Sequence, residues 1–126
     1  EGNLRYGLHF MYSDDCRYLR NVFRRNGSGV AVMYTHRVQM TANRFENNWG
    51  AAAYGLLLKE ISDARLERNV FYRNTTGLVA DGANRLVADG NDFIENGWAV
   101  KLDASTVDGS MTRNNFIAEG GISIGF

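Results

Sequence analysis

The chain has 126 residues, its fourteen Lys and Arg balance fourteen Asp and Glu, and 44% of it is hydrophobic. It is too apolar for a disordered segment and of a size for one domain or part of one, and zero net charge argues against a dedicated nucleic-acid or anionic-membrane binder, which would be basic. The longest mostly apolar stretch, WGAAAYGLLL, is about half a membrane span, and the single cysteine, Cys16, excludes an internal disulfide.

Proline is absent, while Asn occurs thirteen times and Gly fourteen times. Proline would remove backbone donors that a continuous sheet needs, and Asn and Gly supply left-handed turn positions. The chain starts at Glu1 without a signal sequence and shows no polar cap at either end. The expectation is a single segment, 1–126, excised from a longer protein.

In chain order, a short apolar run GLHFM starts at Gly7, and Asn-x-Phe follows at 21–23. GVAVM from Gly29, Val38-x-Met40 and Asn-x-Phe at 43–45 come next. GLLLK from Gly55, Ala64-x-Leu66 and Asn-x-Phe at 69–71 repeat the set, as do GLVAD from Gly77, Leu86-x-Ala88 and 91–93. AVKLD from Ala99, Asn-x-Phe at 114–116 and GISIG from Gly121 close the series. The Phe residues are 22, 26, 22 and 23 apart. A further Asn stands three residues after the Phe in four copies (Asn26, Asn48, Asn74, Asn96), and Glu119 stands there in the fifth.

Each run is short, alternates with period 2 and is bounded by Gly or Asn, which excludes paired helices. The Leu-x-x-Leu-x-Leu spacing of leucine-rich repeats is absent. Three short strands per ~22 residues predict an all-β parallel β-helix of about five and a half coils. Stacking places Leu8, Val30, Leu56, Leu78, Val100 and Ile122 in one inward column and Phe10, Val32, Leu58, Ala80, Leu102 and Ile124 in another. The five Phe form an aromatic column, with Asn amides at the turns bonding to the coils above and below. Cys16 joins Val38, Ala64 and Leu86, either as a small buried hydrophobe or as a ligand. Met40 and Met111 are core residues.

Between the inward positions lie His9 and Met11 in the first coil and Ala31 and Met33 in the second. Met11 and Met33 stack outward beside His9, a soft donor set of the kind that selects Cu(I). His36, in the turn after Met33 and in register with Asp14 and Ser62, is a fourth ligand or a gate. The competing reading has both methionines packing under a loop or partner. Four extra residues around 48–54 predict a loop, either a partner-binding surface with Trp49 and Tyr54 or a bulge packed on the coil. Arg17 and Arg65 share an outward column, as do Arg20, Arg68 and Arg113; Arg65 and Arg68 are candidates for partner contact. Asp14, Asp15 and Asp63 gather near one turn. Asp81 and Asp103 stack near Lys101, which leaves open a polysaccharide-binding or uronate-processing β-helix, epimerase or lyase.

The strings RYGLHFMYSDD from Arg5, GVAVMYTHRVQMTANRFENNWG from Gly29 and AAYGLLLKEISD from Ala52 resemble the NosD family. The chain departs from that family's pattern at Asp14, Asp15, Cys16 and Ala51. The resemblance implies a right-handed parallel β-helix of the carbohydrate-binding and sugar-hydrolase repeat type. It implies a periplasmic, non-enzymatic protein that delivers copper for nitrous oxide reductase, with an ABC transporter membrane subunit and a copper chaperone as partners. Carried over residue by residue, it points to His9, Met11 and Met33.

Overall fold

The period-2 runs become fourteen strands among the described residues: β1 (Tyr6–Met11), β2 (Cys16–Leu19), β3 (Val22–Arg24), β4 (Ser28–Thr41), β5 (Arg44–Glu46), β6 (Leu56–Glu67), β7 (Val70–Tyr72), β8 (Thr76–Asn84), β9 (Val87–Asp89), β10 (Asp92–Ile94), β11 (Trp98–Leu102), β12 (Ser110–Thr112), β13 (Asn115–Ile117) and β14 (Ile122–Ile124). This computed structural model describes residues 2–3, 5–103, 105–117 and 122–124, the last three as backbone alone. Glu1, Glu119, Gly121 and Gly125 lie outside the described residues.

Strands one coil apart pair in parallel, as a repeat of fixed length requires. One sheet runs β1-β4-β6-β8-β11-β14 with β2, β9 and β12 attached, and a second runs β3-β5-β7-β10-β13. The result is an all-β solenoid of about five turns. Registers match the expected columns: Leu8 opposes Val30, which opposes Leu56, then Leu78, Val100 and Ile122. Cys16 opposes Val38 and Val38 opposes Ala64.

Inside, side chains from every coil share one core, because no single coil can bury its apolar face alone. Phe45, Phe71 and Phe93 are almost wholly buried. With Phe23 and Phe116 they form a continuous ring stack, 4.7–5.5 Å between centroids. Beside it run two asparagine ladders. In one, the backbone N–H of Asn21, Asn43, Asn69 and Asn91 each donates to the side-chain oxygen of the Asn one coil on. In the other, Asn3, Asn26, Asn48 and Asn74 do the same. Most side-chain amides also reach a backbone carbonyl in the preceding coil, as Asn69 Nδ2 does to Met40 O at 2.9 Å. Asn26 Nδ2 is buried and finds no hydrogen-bond partner among the described residues. Its equivalent, Asn48 Nδ2, donates to Phe23 O.

The structure departs from three separate strands per coil. β4 and β6 each join two expected segments, and pairing continues through the corner with Thr35 opposite Ile61 and His36 opposite Ser62. The reason is the corner backbone. Among the described residues sixteen non-glycine residues have positive φ, and they recur in register: Tyr12, Tyr34 and Glu60; Asp15, Arg37, Asp63, Arg85 and Asp108; Arg20, Ala42, Arg68 and Arg113; Arg25, Asn47, Arg73 and Glu95. A single left-handed residue turns the chain sharply while the flanking residues keep their ladder bonds.

Candidate metal site

Met11 ends β1 and opposes Met33 of β4 directly, so their α-carbons are about one strand spacing apart, roughly 4.8 Å. Met11 is 39% exposed and Met33 is half-buried. His9 is exposed on the same outward side, opposite Ala31. Ala31 has no exposed surface, being the smallest side chain in a column between His9 and Leu57. The Tyr6 ring lies 4.5 Å from the His9 ring, and the Arg5 guanidinium sits over Tyr6 at 5.2 Å. The buried Thr35 hydroxyl donates to Met33 O at 2.9 Å and accepts the Ser13 N–H, anchoring the chain just beyond the two methionines. Tyr12 and Tyr34 stack at 5.2 Å beside them.

His36 stands three residues after Met33. It lies within β4 beyond the left-handed Tyr34, exposed, with its N–H donated to Asp14 Oδ1 at 2.9 Å. Its field reaches Asp63, whose carboxyl is held below the ordinary range first by the Arg85 guanidinium, with Arg37 and His36 adding to it. Cys16 is half-buried and its Sγ donates to Ser13 O at 3.0 Å, the behaviour of a small packed side chain. Met40 is buried and Met111 packs against the core.

The inserted residues are 50–53. Thr75 N–H donates to Asn48 O and Gly55 N–H to Thr76 O, which leaves those four outside the register. The loop folds onto the coil through Gly50 and the Thr75 hydroxyl. Trp49 is 53% exposed, whereas Ala53 is buried. Tyr54 is half-buried, and its phenol is pushed up to about 12, first by burial and then by the neighbouring Tyr6. Trp49 and Tyr54 precede β6, whereas Arg65 lies near its end and Arg68 beyond it. Arg65 is paired with Glu67, and Arg68 is a left-handed corner residue.

Asp81 and Asp103 do meet. Asp103 Oδ1 also accepts Gly82 N–H, Ser105 N–H and the Ser105 hydroxyl, which makes it a turn-former. The Asp81 contact and those Ser105 bonds lower Asp103 to about 2, and the same contact raises Asp81. A carboxyl carbon titration by NMR is expected to show Asp103 ionising near pH 2 and Asp81 above the usual Asp value. The preference of Asp103 for the folded turn is complete above pH ~4 and lost as pH falls toward 2. Equal midpoints for the two carboxyls would contradict this pairing.

No group of three or more His, Cys, Asp or Glu side chains able to hold a metal occurs among the described residues. The soft donors on this outward face are the Met11 and Met33 thioethers, on directly opposed residues, and the His9 imidazole, whose ring stacks on Tyr6. Such a set fits a soft monovalent ion and suits Ca²⁺ or Mg²⁺ poorly, since those want hard oxygen.

Fold and surface together define a class: a parallel β-solenoid with a thioether–imidazole patch on an outward sheet face. Residues 1–120 match the family described as NosD, periplasmic copper-binding protein, and the chain belongs to that family. Comparison with curated proteins and with solved structures found no match. No helix among the described residues is long and apolar enough to cross a membrane.

Proposed function

We propose that the protein is a non-enzymatic copper carrier that holds Cu(I) at His9, Met11 and Met33 and hands it on during maturation of the copper centre of nitrous oxide reductase. An ABC transporter membrane subunit and a copper chaperone are its proposed partners. The observation that carries this reading is the direct opposition of Met11 and Met33 on an exposed face, with His9 in the adjacent column. Membership of a periplasmic copper-binding family supports it. Neutral thioethers hold a monovalent soft ion without adding charge, and partial exposure leaves room for an incoming donor to displace them one at a time. The strands set the spacing of the pair, so little ordering is needed on binding.

Titration of Cu(I) against a competing chelator tests it. The Met11→Leu/Met33→Leu variant is expected to bind more weakly by at least the ~10–100-fold that even an outer-shell lesion costs a metal site. His36→Ala is expected to leave affinity unchanged, because His36 sits around the corner. Equal affinity in the wild type and the double-leucine variant would overturn the assignment.

A further inference from the structure

The His9 imidazole is in contact with a side chain of its own strand. β1 carries Tyr6 three residues before His9, and the two rings lie 4.5 Å apart between centroids at an interplanar angle of 34°. That separation is in the range of an attractive aromatic contact. Tyr6 is half-buried, whereas His9 and Arg5 are exposed. The Arg5 guanidinium sits over the Tyr6 ring at 5.2 Å, a cation–π contact that adds to the hold on it. Tyr54, where the inserted residues 50–53 rejoin the coil, is a further neighbour of Tyr6.

Such a contact matters at this position. His9 stands on an exposed face, and Ala31 opposite it supplies only a methyl group. An imidazole left alone there would exchange between rotamers, and taking up an ion would have to stop that motion at a cost in entropy. The Tyr6 ring holds the imidazole beforehand. It engages the face of the imidazole, whereas a metal is taken by a nitrogen lone pair at the ring edge, so the contact does not consume the donor atoms. Met11 follows two residues on along the same outward side, with Met33 directly opposite it.

We propose that Tyr6 is a positioning residue for metal uptake: its ring, held under the Arg5 guanidinium, keeps the His9 imidazole ordered for the ion that Met11 and Met33 take. The inference rests on the copper reading above and adds to it a residue that touches no metal. Tyr6 acts only through His9, so its effect on affinity disappears once the imidazole is removed. The aromatic ring is what does this, and the phenol hydroxyl is dispensable for it.

Cu(I) titration of the full chain against a competing chelator tests it, on the wild type, Tyr6→Leu and Tyr6→Phe, each with and without His9→Ala. Tyr6→Leu is expected to weaken binding about 2–10-fold, the worth of one aromatic contact. Tyr6→Phe keeps the ring and is expected to bind as the wild type does. In the His9→Ala background Tyr6→Leu is expected to change nothing, which is the signature of two residues acting as one unit. An unchanged affinity in Tyr6→Leu, the same loss with and without His9, or a Tyr6→Phe as weak as Tyr6→Leu would overturn the proposal. Where Tyr6→Leu does not fold, proton NMR of the metal-free wild type decides. It is expected to show a nuclear Overhauser contact between the Tyr6 and His9 rings, and absence of that contact overturns the proposal. Equal Cu(I) affinity in the wild type and Met11→Leu/Met33→Leu removes the copper reading and this proposal with it. A loss in that double variant without coupling between Tyr6 and His9 removes this proposal alone, so the two failures are distinct.

Discussion

Replacing Asn69 with Ala is expected to destabilise the protein by about 3–5 kcal/mol, an extreme value for one side chain that is neither large nor apolar. Asn69 is buried in the middle coil. Its oxygen accepts from both Asn43 N–H and Asn43 Nδ2, and its amide donates to Met40 O and Asn91 Oδ1. Alanine orphans the buried Asn43 N–H. Each buried unpaired group costs ~1–3 kcal/mol, and the cavity adds to it. Asn69→Asp is expected to be worse at neutral pH, because it sets a carboxylate oxygen against two acceptors. The solenoid sums nearest-neighbour terms, so the same change at the part-buried Asn114 in the last complete coil is expected to cost less. Urea unfolding of the three variants checks the order, and a loss below about 1 kcal/mol for Asn69→Ala would refute the ladder's importance.

Gly29→Ala is expected to be at least as damaging, about 3 kcal/mol or more. A Cβ at Gly29 would fall inside the carbonyl oxygen of Gly55, with Tyr54 O at 2.6 Å and the Gly55 carbonyl carbon at 2.8 Å. These are backbone atoms, and Gly29 N–H itself donates to Tyr54 O at 2.7 Å. The coil cannot step aside without breaking its ladder. Removing a glycine stabilises through the unfolded chain by only ~0.4–1 kcal/mol, so the clash wins. Gly50→Ala is the control, because its nearest atom would be Gly27 O at 3.4 Å in an exposed loop. Thermal unfolding is expected to show a large drop in Tm for the first and almost none for the second. Equal melting would mean that the coils can separate at Gly29.

The columns of this fold are legible in the sequence because a ladder demands the same residue type once per turn. Asn69 bonds to Asn91 and Asn43 only if all three stand at the same step, so the Asn-x-Phe spacing is itself the register. The four-residue excess between Phe45 and Phe71 likewise announced the loop at 50–53, and the alternation in GLHFM and GVAVM set Met11 beside Met33. Whether Trp49 and Tyr54 share a surface with Arg65 and Arg68 was not legible, since they lie either side of corners whose angles no residue type announces.

What the amino-acid sequence determines by itself is thus the solenoid, its period, its inward columns and the pairing of the two methionines, all consequences of side-chain alternation and identical repeats. Tertiary structure alone decided that Tyr34, Arg37, Arg68 and their equivalents carry the left-handed corners. These are residue types that do not advertise positive φ as glycine does. One such corner, at Tyr34, stands between Met33 and His36, and arginines of four successive coils line one groove. The physical reason is that pairing depends on local period, whereas the direction of a face depends on the sign of a backbone dihedral that only the stacked coils hold in place.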